Sequence, residues 1–145
     1  MRALLQRVES ASVQVDGQVV GAIGRGLLVF VGVVRGDGPE QAAALAAKLA
    51  ELRIFSDAAG KMNLAAKAVG GEFLIVSQFT LAASLARGRR PSFDDAAPPE
   101  VARPLVEAVM EALVQAGFRV AGGRFGARMR VELVNDGPVT FVLDV

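Results

Sequence analysis

The chain has 145 residues and a formal net charge of +1, and it contains no cysteine, histidine, tryptophan or tyrosine. This length is most economically one domain, and 52% hydrophobic against 21% charged residues is typical of a globular protein. Without histidine and cysteine, Ser-His-Asp and Cys-His catalysis, disulfides, and zinc sites built on those ligands are excluded. Any hydrolysis must therefore use hydroxyls, carboxylates, backbone dipoles or the substrate itself. The apolar runs are too short to span a bilayer and no export signal is present, so we expect a cytoplasmic protein without membrane contact.

The N-terminal quarter predicts a β-meander. Residues 1–15 alternate loosely between apolar and polar, and Asp16-Gly17 is a strong hairpin signal before the strand 18–23. Gly24-Arg25-Gly26 predicts a second turn. The nearly continuous apolar run 27–34 then predicts a strand that is covered on both faces.

Two helices follow from apolar residues spaced three and four apart. The first begins near Asp37, a suitable N-cap, and ends near Arg53. The second runs over 99–116, where Pro104 fits only if it lies in the first turn, and Gly117 suits the position after its end.

A buried strand over 72–76 delivers four polar or aromatic residues, Ser77-Gln78-Phe79-Thr80, to its carboxyl end. In mixed α/β sheets, ligands bind at the carboxyl ends of strands. Further strands are predicted at 53–55, 118–121, 129–134 and 139–145, with a surface loop over 56–64 and a mobile loop over 85–99. The fold class is therefore α/β, with one domain over residues 1–145, a mixed sheet and two main helices.

The stretch Asn135-Asp136-Gly137-Pro138-Val139-Thr140 lies between two apolar β-like runs. Taken alone, it predicts a tight hairpin, because Asn, Asp and Gly tolerate positive φ. Gly137-Pro138 adds a second possibility, since a cis bond before proline costs only about 0.5 to 1 kcal/mol, although this cost alone favours the trans form. A cis bond would aim two successive carbonyls the same way, and such a rigid pair can test stereochemistry without a side chain.

The same stretch resembles the NxGPVT signature of the D-aminoacyl-tRNA deacylases, and Ser77 to Leu81 is similar to that family's SQFTL. Arg90-Pro91-Ser92-Phe93, and Phe125-Gly126 followed by Met129, match in the expected order, so the likeness covers the chain from Met1 to Val145. The resemblance implies the fold of that family and a homodimer with active sites at its interface. It also implies hydrolysis of the ester between a D-amino acid and the aminoacyl-tRNA 3′ end, without a metal or an organic cofactor.

The resemblance assigns the pocket around the scissile ester to Ser77, Gln78, Phe79 and Thr80, with Thr80 as the catalytic position. In isolation, these residues would only cap the following turn. An unactivated hydroxyl is a poor nucleophile, so we expect no covalent intermediate. Instead, the terminal ribose 2′-hydroxyl of the tRNA would assist a water, while N–H groups near Phe79 and Thr80 hold the oxyanion.

The same resemblance implies that Gly137 and Pro138 select between D and L substrates. Their carbonyls would face the substrate α-carbon, so that an L side chain collides and a D or absent one fits. Glycyl-tRNA mischarged on tRNA-Ala is then also an expected substrate. Arg7 would reach this pair and fix its carbonyls, and Phe125 and Met129 would line the pocket. By residue type alone, Arg7 would face solvent and the other two would belong to the core.

Arg87, Arg89 and Arg90 form a small basic cluster that can contact phosphates of an acceptor stem or remain a solvated loop. Family members often have a single basic residue before this proline, so the two arginines before Pro91 leave the register of any phosphate contact open. Asp94 and Asp95, adjacent on a loop without further ligands, are weak evidence for a metal, and none is predicted.

Three alternatives remain at this point. One is a sister enzyme with a trans Gly-Pro that edits small L-amino acids such as alanine from mismatched tRNA; Asp136 before Gly137 and the SQFTL form favour the D-specific class. Another is a tRNA-binding module without turnover, which the missing histidine makes conceivable. The last is a purely structural dimer, against which the polar strand end at 77–80 argues.

Overall fold

The computed structural model describes residues 1–86 and 88–145, and Arg87 lies outside the described residues. The strands are β1 (Arg2–Val15), β2 (Gln18–Ile23), β3 (Gly26–Gly32), β4 (Phe55–Ser56), β5 (Met62–Leu64), β6 (Glu72–Ser77), β7 (Val120–Gly122) and β8 (Arg130–Asp144). The helices are α1 (Pro39–Glu51) and α2 (Pro99–Gln115), and short 3-10 helices cover Ala66–Val69 and Phe79–Ala82. Parallel and antiparallel pairs share one six-stranded sheet, so the predicted mixed α/β fold with two main helices is confirmed. Within the described ranges, neither helix is long and apolar enough to cross a membrane.

Strand β1 is the central strand of the N-terminal region, and β2 and β3 follow one another along the same edge of it. The turn that joins β1 to β2 has positive φ at Asp16 (50°) and Gly17 (78°), as a two-residue hairpin requires. The predicted meander is wrong at Gly24, because the chain bends there without turning back. Ala11 of β1 pairs with Ile23 of β2, and Val8 of β1 pairs with Gly26 of β3. Only two residues separate these pairs on either strand, which is too few for the chain to reverse its direction.

Two apolar layers cover the sheet. On one face, α1 and α2 pack over side chains of β1, β3 and β6, including Leu5, Leu27 and Phe73. On the other face, Leu28, Leu74 and neighbours form a second cluster, against which part of β8 packs. Successive residues of β3 therefore enter different layers, and the prediction that this strand is covered on both faces is confirmed.

Several predicted boundaries need correction. The N-cap of α1 is Gly38, because the carboxylate of Asp37 instead accepts the N–H of Val34 at 2.7 Å. The predicted loop 56–64 contains β5, which pairs with β4. Pro104 lies beyond the first turn of α2, where it removes one backbone donor inside the helix.

The largest correction concerns the C-terminal strands, which are one strand and not a hairpin. Strand β8 pairs antiparallel with β1 at both of its ends, from Arg130 opposite Gln14 to Asp144 opposite Arg2, with the register interrupted between them. Gln6 faces Thr140 and Val8 faces Asn135, so Arg7 alone lies opposite the four residues 136–139. These four residues form a bulge, which we call the 136–139 bulge. The turn-forming residues bend the strand and do not reverse it, because β1 is long enough to pair with β8 on both sides of the bulge.

Glu72 ties the bend between β2 and β3 to β6. Its carboxylate accepts the N–H of Gly24 at 2.9 Å and a guanidinium N–H of Arg119 at 2.6 Å. Burial by itself raises the pKa of Glu72, but these two donors outweigh it and hold the pKa below its ordinary value. The ionised Glu72 therefore stabilises the folded state at pH values above the unfolded-state pKa of this residue. That contribution is lost as the pH falls through the folded-state pKa.

The close approach of β3 to β6 gives a stability prediction. A Cβ at Gly26 would lie 2.6 Å from the backbone N of Glu72 and 2.7 Å from its carbonyl carbon, so two paired strands would have to separate. We expect Gly26→Ala to lower the free energy of unfolding by about 1 to 3 kcal/mol, measured by urea denaturation.

The matched control is Gly24→Ala, because a Cβ at Gly24 meets nothing within 4 Å and the N–H that binds Glu72 is kept. Its free energy of unfolding should change by less than about 0.5 kcal/mol. Equal losses of unfolding free energy in the two variants would contradict the close approach of β3 to β6 at Gly26.

Candidate active site

An apolar cavity of about 510 Å³ opens at the carboxyl ends of β3 and β6, next to α2. In the register of the parallel pair, Val31 of β3 lies beside Ser77 of β6, so both strands end at the cavity. Its wall is mainly apolar and includes Val31, Val76, Ala97, Val106, Phe125 and Met129. This size and lining are those of a small-molecule site.

The polar end of the cavity is the segment after β6. Ser77, Gln78 and Phe79 all belong to the wall. The backbone N–H of Gln78 continues the pairing to Val31 at 2.8 Å, after which the chain enters the 3-10 helix. Thr80 is exposed and lies beside the wall, where its Oγ1 accepts a hydrogen bond from Nε2 of Gln78 at 2.5 Å. In the described part of the chain, no hydrogen bond is found from the backbone N–H groups of Phe79 and Thr80.

One aromatic contact joins this segment to the predicted loop 85–99. The rings of Phe79 and Phe93 have centroids 4.9 Å apart, and Phe79 is 60% exposed. The same loop is held by Ser92, which exchanges backbone hydrogen bonds with Ser84 at 2.8 and 3.0 Å. It is thus tied at Ser92 and at Phe93. Arg89 and Arg90 are exposed between Ser84 and these ties.

Arg7 is buried, with 7% of its surface exposed, and it holds the 136–139 bulge. Its Nε donates to the carbonyl of Asp136 at 3.0 Å and lies 3.2 Å from the carboxylate of the same residue. Its Nη1 donates to the carbonyl of Ile54 at 2.7 Å. The expectation of a solvent-facing Arg7 is wrong, and its partner is Asp136, not the carbonyls of Gly137 and Pro138. The bulge takes Asp136 out of register with β1, and Arg7 supplies the donor that the strand ladder no longer provides.

Asn135 closes the bulge from the other side. Its side-chain Oδ1 accepts the N–H of Val139 at 2.8 Å, and its Nδ2 donates to the carbonyl of Val139 at 3.2 Å. Gly137 and Pro138, joined by a cis peptide bond, are left exposed between these contacts. The residue pattern predicts no role for Asn135 or for the side chain of Asp136, because the link between Asn135 and Val139 depends on the register of β8 with β1.

The predicted site residues therefore fall into two groups in one chain. Ser77, Gln78, Phe79, Phe125 and Met129 meet at the cavity, and Thr80 is held beside them by Gln78. Among the described residues that form the cavity wall, Arg7, Gly137 and Pro138 are absent, because Gly137 and Pro138 belong to the bulge in β8 and Arg7 lies opposite that bulge in β1.

The carboxylates in the predicted loop do not form a metal site in the described residues. Asp94 accepts the hydroxyl proton of Ser92 at 2.7 Å, and its backbone carbonyl accepts Nε of Arg35 at 2.6 Å. Across residues 1–86 and 88–145, no three acidic side chains converge in a way that would hold a metal ion.

The buried position of Arg7 gives a second stability prediction. Arg7→Met removes the donors to Ile54 and Asp136 and leaves a partly buried carboxylate without its partner. We expect the free energy of unfolding to fall by about 2 to 4 kcal/mol in urea denaturation.

Arg2→Met is the matched control, because Arg2 lies on the same strand and pairs with Asp144 of β8 at 2.7 Å, but on the exposed surface. Its loss should cost less than about 1 kcal/mol. If the two methionine variants were equally stable, the proposed importance of the buried contact would be refuted.

Comparisons with known proteins identify relatives that match almost the whole chain. The family model described as D-Tyr-tRNA(Tyr) deacylase matches residues 4–144. A D-aminoacyl-tRNA deacylase of Anaeromyxobacter dehalogenans is 62% identical over 144 residues, covering 99% of this chain and 97% of the relative. Another from Roseiflexus castenholzii is 60% identical, with coverages of 99% and 92%.

Solved structures share the fold over the whole chain. A chain described as "c-Myc DNA Unwinding Element Binding Protein" has a TM-score of 0.93 and 38% identity, covering 100% of this chain and 99% of its own. One described as "Structural Analysis of a probable eukaryotic D-amino acid tRNA deacylase" has a TM-score of 0.87 at 19% identity, covering 99% and 98%, which supports the fold alone. With the family match over 4–144 and relatives at 60% identity or more, the chain belongs to the D-Tyr-tRNA(Tyr) deacylase family and is a deacylase, a hydrolytic enzyme.

Proposed function

We propose that this protein hydrolyses the ester that joins a D-amino acid to the 3′ end of a tRNA, releasing the free amino acid and the tRNA. The observation that carries the proposal is the cavity of about 510 Å³, whose polar end is built by residues 77–79 in a chain that matches the deacylase family over 4–144. Its apolar wall suits an amino-acid side chain or a base, and the strand end suits the ester. Residues 1–145 act as one catalytic domain, in the cytoplasm.

The proposed reaction needs no residue of histidine type. The tRNA's terminal ribose 2′-hydroxyl assists a water molecule, which attacks the ester carbonyl. The N–H groups of Phe79 and Thr80, which have no acceptor among the described residues, stabilise the oxyanion. When the tetrahedral intermediate collapses, the bond to the ribose 3′-oxygen breaks and that oxygen takes up a proton. The hydroxyl of Thr80, oriented by Gln78, positions the reacting groups without attacking them.

Selection against L-amino acids is assigned to the exposed backbone of Gly137 and Pro138. These residues stand out from β8, and Arg7 and Asn135 hold the flanking Asp136 and Val139. A carbonyl presented to the substrate α-carbon rejects a side chain of L configuration and accepts a D side chain or a hydrogen. Glycyl-tRNA, including glycine mischarged on tRNA-Ala, is then a second substrate.

A homodimer would unite the two groups of residues. Because Gly137 and Pro138 are not part of the cavity wall of their own chain, we assign them to the cavity of a partner subunit. Within the described residues, β8 pairs only with β1, so its other edge carries unpaired backbone groups. The exposed side chains of Val134, Phe141 and Val142 on the same strand add apolar surface suited to an interface.

Arg89 and Arg90 are proposed to contact acceptor-stem phosphates. They are exposed in the segment that precedes Phe93, and Phe93 contacts Phe79 at the cavity. Phosphate contacts of this kind position a nucleic acid without reading its sequence. Arg87, assigned to the same cluster by sequence, lies outside the described residues.

The substrate assignment is tested with purified protein and three esters: D-tyrosyl-tRNA, L-tyrosyl-tRNA and glycyl-tRNA. We expect the D-tyrosyl and glycyl esters to be lost at least a hundredfold faster than the L-tyrosyl ester, followed as acid-precipitable label. Loss of no ester above the buffer control would indicate a binding module, and preferential loss of the L ester would indicate the sister activity. Resistance of glycyl-tRNA alone would refute the steric account of chirality.

The role of Thr80 is tested by removing its hydroxyl. If Thr80 only positions groups, Thr80→Val should lower kcat by about 10- to 100-fold and leave measurable turnover, because the attacking water remains. Thr80→Ser keeps the hydroxyl and serves as the control, with activity close to that of the unaltered enzyme. Detection of an acylated Thr80 by rapid-quench mass spectrometry would overturn this role.

A further inference from the structure

A second group of arginines lies next in sequence to residues of the cavity wall, away from the segment that carries Arg89 and Arg90. Arg103 belongs to α2, and Arg124 and Arg128 flank the turn that carries Phe125. All three arginines are exposed. We refer to Arg103, Arg124 and Arg128 as the basic rim.

The turn between β7 and β8 brings two members of the basic rim, Arg124 and Arg128, next to the cavity wall. The N–H of Ala127 donates to the carbonyl of Arg124 at 3.1 Å, and Gly126 has a φ of +76°, which closes a tight turn. Phe125 and Ala127 from this turn line the cavity, as does Met129. Arg124 and Arg128 are therefore each adjacent in sequence to residues of the wall.

Arg103 is fixed to the same wall by a cation–π contact. Its guanidinium carbon lies 4.9 Å from the centroid of the Phe125 ring. This distance is within the range in which a guanidinium is attracted to an aromatic face. The contact joins α2 to the turn and sets the Arg103 charge beside the cavity.

The charges of the basic rim have no close acidic partner. In the described part of the chain, no carboxylate lies within 4.0 Å of the charged nitrogens of Arg103, Arg124 or Arg128, although Glu100 and Glu107 are exposed on the same helix as Arg103. Arg2, Arg7 and Arg119, by contrast, are each paired with a carboxylate at 3.2 Å or less. Three exposed arginines without a close carboxylate, each next in sequence to a residue of one cavity wall, are suited to binding a polyanion.

We propose that the basic rim binds phosphates of the single-stranded 3′ end of the RNA substrate while its terminal nucleoside occupies the cavity. The inference rests on the proposed function, since it extends the same cavity to the nucleotides that precede the ester. Guanidinium groups bind phosphate oxygens in a bidentate manner, which holds the strand in one register without reading its bases. Arg89 and Arg90 lie on a different element and would contact another part of the RNA.

The test compares two substrates that carry the same ester. One is D-tyrosyl-tRNA, and the other is 3′-O-(D-tyrosyl)adenosine, which has no phosphate. In the variant with Arg103→Gln, Arg124→Gln and Arg128→Gln, we expect KM for the tRNA to rise at least tenfold, with kcat and the KM of the adenosine ester changed less than twofold. The slope of log(kcat/KM) against log salt concentration for the tRNA should become shallower by about 2, since each single-strand phosphate contact contributes about 0.7.

Arg25→Gln is the matched control. Its guanidinium also lies over an aromatic ring, 5.6 Å from the centroid of Phe55, and it is exposed. It precedes Gly26, which pairs with Glu72 at the far end of the parallel pair, roughly 16 Å along the strands from the cavity end. Its KM for both substrates and its salt slope should be unchanged. The three single variants, checked by thermal denaturation, give the same comparison if the triple variant does not fold.

The outcomes separate this inference from the proposed function. A rise in KM for both substrates would mean that the arginines only support the cavity, and an unchanged KM and salt slope for the tRNA would mean that no phosphate is bound there. Either result overturns the inference while the activity stands. Failure of the unaltered enzyme to hydrolyse either D ester would overturn the proposed function itself.

Discussion

The contact between Arg7 and Asp136 is the constraint on which the arrangement of β8 depends. Strands β1 and β8 pair over most of their length, but Arg7 alone lies opposite four residues of β8. A buried guanidinium without partners would cost several kcal/mol, so the bulge and the carbonyl of Ile54 must both stay within its reach. One side chain thereby fixes the position of the bulge and joins it to the segment before β4.

This contact helps to hold the exposed backbone of Gly137 and Pro138 in place. A segment that leaves a strand ladder is ordinarily free to move, because its N–H and C=O groups turn to water. Here Arg7 holds Asp136 and Asn135 holds Val139, so the two residues between them are restrained from both sides. Recognition by main-chain groups needs such restraint, since a carbonyl that moves aside cannot exclude a side chain.

The sequence predicts the elements of this fold better than their connections. Hydrophobic periodicity located both helices and most strands to within a few residues, because burial of one face is a local property of the pattern. The hairpin predicted at 135–140 and the turn predicted at Gly24 were wrong for one reason. Turn-forming residues show where the chain can bend, but whether it reverses depends on a distant strand, and β1 is long enough to pair on both sides of each bend.

The candidate site divides in the same way. The cavity residues at 77–79, with Phe125 and Met129, were identified through family signatures, and the structure brings them together. The burial of Arg7 was not predictable from residue type, since a charged residue in a half-buried strand usually faces solvent. Its environment is created by a bulge 129 residues away in the sequence. The link between Asn135 and Val139 is similarly invisible until the register of β8 is known.

The composition of the chain also determines where its specificity can reside. With no histidine or cysteine in the chain and a mainly apolar cavity wall, the proposed reaction depends on N–H groups, carbonyls and a substrate hydroxyl held in position. Most side-chain substitutions leave the main-chain groups in place, so the side chains that hold those groups are one means of changing the activity. In the proposed reaction, Arg7, Asn135 and Gln78 thus control catalysis and selection by geometry, although Arg7 and Asn135 are placed outside the cavity wall.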